Sequence, residues 1–179
     1  VHTAEKEGAG LDIRYLKGVG EKRAAQLARL GIRTVDDLLG LYPRDYVDYS
    51  HPYPVAGAPY DVKCVVRATV YGKNGGARIR GRQMAKATAG DDTAGLILTY
   101  FNNPYALQKL EVGREYLFFG KVGGTFTARE MVNPVMLTVE SAAASPLVPV
   151  YPQTEGVSSA YLAKCVRAAF AAAPDIEEP

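Results

Sequence analysis

Cysteine and histidine are scarce in this sequence, and their scarcity excludes whole classes of site. The 179 residues include two cysteines, Cys64 and Cys165, and two histidines, His2 and His51. Two distant thiols provide neither a disulfide framework nor a thiolate metal site, so we expect both to be reduced and buried. The histidines have no carboxylate or thiol at metal-ligand spacing, and we therefore predict no metal site.

Membrane, secretion and enzyme signals are missing as well. No run of about 18 apolar residues occurs, and the N-terminus lacks a basic flank followed by an apolar core. The phosphate-binding pattern G-x-x-x-x-G-K-[ST] is absent, and no set of catalytic side chains is visible. We expect a cytoplasmic protein with no membrane partner and no enzyme activity of its own. Because the sequence lacks an initial Met and ends in P-D-I-E-E-P, we expect a piece of a larger protein.

Acidic residues are missing from one long internal stretch. The net charge of the chain is only +2. Between Val62 and Gly90, however, there is no Asp or Glu, whereas the rest of the chain has 14 basic and 19 acidic residues. The seven basic residues of this stretch are Lys63, Arg67, Lys73, Arg78, Arg80, Arg82 and Lys86. Such an asymmetry indicates a polyanionic partner.

Helical periodicity is confined to the two ends of the chain. In residues 1–41 it predicts a helix over 21–30, and then a second helix capped by Thr34 with Asp37 at its third position. Residues 42–60 are rich in Pro and Tyr and are predicted to form an extended connector. Residues 140–179 are predicted to form a linker and a C-terminal helix capped by Ser158 or Ser159.

The period changes to two from residue 61 onward. The pattern predicts a strand over 61–71, a turn at G-K-N-G-G and a second strand with Arg78, Arg80, Arg82 and Lys86 on one face. A third strand, a short helix begun by Asn103 and Pro104, and two more strands follow. Residues after Asn133 could continue the last strand, but Pro134 favours a break or a bulge there. We therefore predict a mainly β fold with flanking helices: a five-stranded OB-fold Greek-key barrel over 61–139, of the order β-β-β-α-β-β.

The basic strand is the strongest functional signal from the residues. Alternate residues on a strand are about 7 Å apart, which is close to the phosphate spacing of a nucleic-acid strand. The alternative is a solvated strand face, although such faces usually mix both charge signs.

Two further motifs leave alternatives open. Gly18 and Gly20 have the spacing of a helix-hairpin-helix turn, and with Lys22 and Arg23 they could bind a phosphate or simply permit a tight turn. Phe101 and Tyr105 flank the polar sequence N-N-P. They could be core residues or the hydrophobic staple of the short helix, but the staple has poor partners, and exposed aromatics stack on bases.

Three phrases give the chain a family resemblance that extends from about residue 11 to residue 170. They resemble the N-terminal part of RecG-type bacterial DNA helicases. The first is L-K-G-V-G-E-K-R-A-A-Q-L with Y-P-R-D-Y, the second is L-E-V-G-R-E-Y-L-F-F-G-K-V, and the third is P-V-Y-P-Q-T-E-G-V-S. The barrel resembles the wedge domain of that family. The resemblance implies a branched-DNA partner, either a replication fork or a Holliday junction, in recombination and repair.

The resemblance also implies roles for individual residues. Phe101 and Tyr105 lie where the family has an aromatic pair that stacks on open bases, while the seven basic residues from Lys63 to Lys86 would contact the DNA backbone. The parent would use ATP and Mg²⁺ through motor domains that this chain lacks, and we expect a monomer near the nucleoid. Two alternatives stay open: a generic single-strand-binding OB domain, and a protein-interaction domain.

Overall fold

The computed structural model describes residues 10–172, which fall into two compact units. The helical unit comprises residues 10–47 and 149–172, and the barrel unit comprises Asp48–Val148. Each unit is described by itself. The sequence predictions on His2 and on the terminal P-D-I-E-E-P lie outside the described residues.

The described chain has eight strands and five α-helices. They are a 3-10 helix Ile13–Tyr15, α1 Glu21–Ala28, α2 Val35–Leu39, β1 Asp45–Asp48, β2 Lys63–Ile79, β3 Arg82–Gly90, β4 Gly95–Phe101, α3 Pro104–Lys109, β5 Glu115–Gly124, β6 Arg129–Val132, β7 Val135–Thr138, α4 Val139–Ala144, β8 Leu147–Val150 and α5 Ser159–Ala172. β1 lies in the predicted connector, while α4, apart from its first residue Val139, and β8 lie in the segment predicted to be a linker. Within residues 10–172, no helix has the length and apolar character needed to span a bilayer.

Five strands of the barrel unit close on themselves. β2 pairs antiparallel with β3 and with β5, β3 pairs with β4, β4 pairs parallel with β6, and β6 pairs with β5. Helix α3 connects β4 to β5. This is the order of the OB-fold, so the predicted fold class is confirmed. β7 pairs with β5 after a break at Asn133 and Pro134, as predicted.

The core of the barrel is made of apolar side chains. Alternate β2 residues Val66, Ala68 and Val70 are at most 1% exposed, as the period of two predicts. Val65 on the opposite face is buried as well. The connector lies along that part of β2, because Tyr53 N donates to Val65 O at 2.8 Å.

The turn of the β2–β3 hairpin is not where the sequence predicts it, and that prediction was wrong. Strand β2 runs through G-K-N-G-G to Ile79, which faces Arg82 across the hairpin. The pair of glycines forms a bulge instead, with a register shift between Asn74 and Ala77. The turn is made by Arg80 and Gly81, with φ of 49° and 79°. Positive φ at both central residues matches the twist of the flanking strands, and this favours a turn there.

The prediction that Arg78, Arg80, Arg82 and Lys86 lie on one face of one strand was therefore wrong. Arg78 is on β2, Arg80 is in the turn and Arg82 begins β3. They spread around the end of a hairpin.

The helical unit has its own core. Leu27 of α1, Leu38 of α2 and Leu162 of α5 are fully buried in it. The predicted capping box of α2 is confirmed: Thr34 Oγ1 accepts from Asp37 N at 3.1 Å, and Asp37 Oδ2 accepts from Thr34 N at 3.0 Å. The backbone N–H groups of Arg33 and Thr34 donate to the Asp37 carboxylate and lower the pKa of Asp37.

Candidate nucleic-acid interface

Helix α3 presents Tyr105 to solvent. Asn103 Oδ1 accepts from Ala106 N at 3.2 Å, and Pro104 follows in the first helical turn, so the predicted helix start is confirmed. Tyr105 is 69% exposed. Tyr105 is therefore neither a core residue nor a staple.

Phe101 lies at the end of β4, opposite Met84 of β3, and is half-buried. Its backbone N donates to Asn133 Oδ1 at 2.8 Å, which fixes the point where the chain leaves the sheet. Of the two aromatics, Tyr105 offers the larger free surface.

The end of the β2–β3 hairpin is cationic. We call residues 78–82 the hairpin tip; it carries Arg78, Arg80 and Arg82 around Ile79, which is 49% exposed. The three arginines are exposed, and none has an ion pair or side-chain hydrogen bond within residues 10–172. Lys63 at the start of β2 is exposed too, and it has no ion pair in the same range. An exposed cation without an internal partner can meet an external anion at little cost in desolvation.

The hairpin tip and the aromatic pair lie at the same end of the barrel. Phe101, the last residue of β4, faces Met84, and Asn102 N donates to Gln83 O at 2.8 Å. Gln83 is two residues from Gly81 of the turn. At about 3.3 Å per residue, the turn projects roughly 7 Å beyond that hydrogen bond.

Three of the seven predicted backbone contacts already have partners inside the barrel unit. Arg67 pairs with Glu115 at 3.7 Å and Lys86 with Glu130 at 3.8 Å. Lys73 Nζ donates to Leu110 O at 2.7 Å and so binds the carbonyl end of α3. The stretch without acidic residues in the sequence is thus partly neutralised in space. No local sequence signal could have revealed this, because strand register brings these residues together.

The glycine turn packs against α5 of its own unit. Gly18 has φ of 93° and Gly20 caps α1, while Val19 between them is buried. Tyr161 OH donates to Gly18 O at 3.1 Å, and burial raises the pKa of Tyr161 to about 12.

Arg23 belongs to the same packing. Its guanidinium lies 4.5 Å from the centre of the Tyr161 ring and donates to Gly156 O. Lys22 is exposed and has no ion pair within residues 10–172.

Comparison with known proteins gives a consistent match. The family model described as the RecG wedge domain matches residues 12–173. The ATP-dependent DNA helicase RecG of Escherichia coli K12 is 34% identical over 155 residues, which is 83% of this chain and 22% of that protein. RecG of Thermotoga maritima is 28% identical over 169 residues, or 90% of this chain and 21% of that protein.

A solved structure of RecG bound to a three-way DNA junction is similar in fold. It superimposes with a TM-score of 0.73 at 26% identity, over 93% of this chain and 23% of that one. The chain thus spans about a fifth of the length of the curated relatives it matches.

Proposed function

The chain belongs to the RecG wedge domain family, and we propose that it is the part of an ATP-dependent DNA helicase that binds branched DNA and separates its strands. The observation that carries the proposal is geometric. A largely exposed Tyr105 and three arginines that have no ion pair within residues 10–172 lie at one end of a closed barrel. The similarity to a RecG structure on a three-way junction supports branched DNA as the ligand.

The aromatic residues and the basic residues would contact different parts of the DNA. Phe101 and Tyr105 would stack on the bases at the branch point, each contributing about 1–3 kcal/mol of binding free energy. Arg78, Arg80 and Arg82 would bind phosphates close by, with Lys63 further along β2. Arg67, Lys73 and Lys86 would contribute less to DNA binding, because each is already engaged.

The remaining functions would belong to the parent protein. ATP and Mg²⁺ would bind to motor domains, since this sequence has no phosphate-binding loop. There the module would serve fork reversal and branch migration in recombination and repair, in the bacterial cytoplasm near the nucleoid. By itself the chain would be a monomer without ATPase activity. Gly18, Gly20 and Lys22 remain a candidate phosphate site, whereas Arg23 is engaged in packing.

Fluorescence anisotropy with fork, duplex and single-stranded DNA tests the proposal. The wild-type chain should bind the fork more tightly than a single strand of equal length. The variant Phe101→Ala/Tyr105→Ala should lose about tenfold or more in fork affinity, because stacking on one or two bases is removed. Tyr42→Ala removes an exposed tyrosine of the helical unit and should leave fork affinity unchanged.

The outcomes separate the alternatives. Equal affinity for forks and single strands would indicate a generic single-strand-binding domain. Unchanged DNA affinity after reversal of all three tip arginines to Glu would indicate a protein-interaction domain.

A further inference from the structure

A cleft lies between helix α3 and the β2–β3 hairpin. It encloses about 260 Å³, and its lining consists of Lys73, Gly75, Gly76, Gln83, Ala85, Leu107 and Gln108. We propose that this cleft holds one unpaired nucleobase of a strand that the aromatic pair has separated. The inference rests on the proposed function and adds a second base-binding site to it.

The chemistry of the lining suits a planar ring with a polar edge. Ala85 and Leu107 are at most 8% exposed and form an apolar floor. Gln83 and Gln108 are exposed, and their amides both donate and accept hydrogen bonds. The edge of a base also presents donors and acceptors, and unpaired bases are recognised through this edge.

The glycine bulge creates the space. A register shift between Asn74 and Ala77 takes Gly75 and Gly76 out of the ladder. A Cβ on Gly76 would lie 3.2 Å from Met84 O and 3.6 Å from Gln83 Nε2. The Gln83 amide thus lies across the bulge, and a larger residue at position 76 would crowd it.

The lining favours a base over a phosphate. Lys73 is the charged residue of the lining, and its ammonium group donates to Leu110 O at 2.7 Å and to Leu107 O at 3.4 Å. These carbonyls take two of its three N–H donors, so the cleft would offer an anion one remaining N–H and two neutral amides. The volume is below the roughly 300–1,000 Å³ of pockets for drug-sized ligands, which suits a single ring system.

The cleft lies on the path of a strand that stacks on α3. Tyr105 and Gln108 are three positions apart and therefore lie on the same face of the helix. Gln83 is held beside the start of α3, because its carbonyl accepts from Asn102 N at 2.8 Å. A strand with one base on Tyr105 would carry a neighbouring base toward the two glutamines.

Abasic substitution combined with mutagenesis tests the site. Forks with an abasic site at each of the first unpaired positions would be titrated with the wild-type chain and with Gln83→Ala/Gln108→Ala. At one position, loss of the base should weaken wild-type binding about tenfold, since hydrogen bonds and apolar contact are lost. The double variant should bind the intact fork about tenfold more weakly and lose nothing further at that position.

Two further variants make the result independent of folding defects. Gln153→Ala removes an exposed glutamine of the helical unit and should behave as wild type. Gln83→Glu/Gln108→Glu preserves side-chain shape but leaves only acceptors. It should therefore bind a fork with adenine or cytosine at the sensitive position, whose exocyclic amine has two N–H donors, more tightly than one with thymine, whose single N3–H donor lies between two carbonyl acceptors.

Two results would overturn the inference. One is that no position shows a larger abasic effect for wild type than for Gln83→Ala/Gln108→Ala; the other is that this variant binds the intact fork as tightly as wild type. If only the cleft assignment is wrong, the wild-type chain should still prefer forks, and Phe101→Ala/Tyr105→Ala should still lose fork affinity. If the wild-type chain does not prefer forks, the proposed function itself fails.

Discussion

Arg80 has a left-handed backbone conformation that arginine seldom adopts. Among the described residues, the other non-glycine residues with positive φ are Asp61, Asn102 and Asn133, whose short polar side chains tolerate it. Asn before Gly is the preferred pair in such a turn. An arginine here costs stability and places a cation at the far end of the hairpin, which is a compromise typical of a binding residue.

The Arg80→Asn variant should therefore gain stability and lose affinity. We expect its free energy of unfolding to stay level or rise by up to about 1 kcal/mol. Its fork affinity should fall several-fold, and the slope of log K against log salt should become shallower by about 0.9. Urea unfolding and salt-dependent anisotropy measure the two effects.

The matched control for this prediction is Arg78→Asn. Arg78 lies on β2, outside the residues with positive φ, so its loss should lower affinity similarly without any gain in stability. If Arg80→Asn instead destabilises the chain, the arginine is a structural residue of the turn.

Buried tyrosines make stability sensitive to alkaline pH. Burial raises the pKa of Tyr49 to about 12 and raises that of Tyr100 strongly. The Tyr100 hydroxyl has no hydrogen-bond partner within residues 10–172. Above the ordinary tyrosine pKa of 10.0 the unfolded chain releases protons that the folded chain retains. The contribution of these tyrosines to stability is therefore constant below that pH and falls above it.

Tyr100→Phe should reduce this alkaline loss. It should also raise the free energy of unfolding at neutral pH by about 1 kcal/mol, because an unpaired buried hydroxyl is removed. Urea unfolding from about pH 8 to about pH 11 measures the slope. Tyr42→Phe alters an exposed ring and should leave it unchanged; an equal slope for Tyr100→Phe and wild type would contradict the argument.

Among the elements, α3 holds Tyr105 of the candidate interface and is fixed to the β2–β3 hairpin at its carbonyl end. Asn103 starts the helix just before Tyr105, and Lys73 of β2 binds the carbonyls at its other end. A six-residue helix is too short to be stable without such end contacts. The orientation of Tyr105 consequently depends on both ends of α3.

Asn103→Ala should therefore weaken fork binding, although Asn103 is not a proposed DNA contact. We expect a loss of about 1 kcal/mol of stability, typical of an N-cap, and a several-fold loss of fork affinity. Thr138→Ala removes the cap of α4, another six-residue helix of the barrel unit, and should cost similar stability at unchanged affinity. Equal affinities for the two variants would show that α3 does not position a DNA contact.

In the whole molecule, the buried apolar residues form two separate clusters. One cluster of buried residues lies entirely within the barrel unit, and the other lies entirely within the helical unit. The proposed DNA-binding residues Phe101, Tyr105 and those of the hairpin tip all belong to the barrel unit. Damage to one core should thus have local consequences.

Leu98→Ala and Leu162→Ala test that division. Both leucines are fully buried, and each truncation should cost about 2–5 kcal/mol in its own unit. Hydrogen exchange followed by mass spectrometry should show lost protection in the barrel unit for the first variant and in the helical unit for the second. Fork affinity should fall only for Leu98→Ala. If both variants instead lose hydrogen-exchange protection uniformly across the two units, the units unfold together.

Local patterns in the sequence determined a large part of this protein. Period-two burial predicted β2 through Val70, and capping residues predicted where α2 and α3 begin, because both signals depend on neighbours within a few positions. The order of the strands and the helix then led to the OB-fold, and three sequence phrases led to the RecG family.

Tertiary structure decided the electrostatics and the shape of the candidate site. The sequence located the hairpin turn at G-K-N-G-G, but strand pairing accommodates those glycines as a bulge and moves the turn to Arg80 and Gly81. The charge pattern suggested seven contacts to a polyanion, and register brings Glu115 to Arg67 and Glu130 to Lys86, so that two of the seven have acidic partners within the barrel unit. Strand register is decided by packing along the whole length of each strand, and it therefore cannot be predicted from the pattern of a few neighbouring residues.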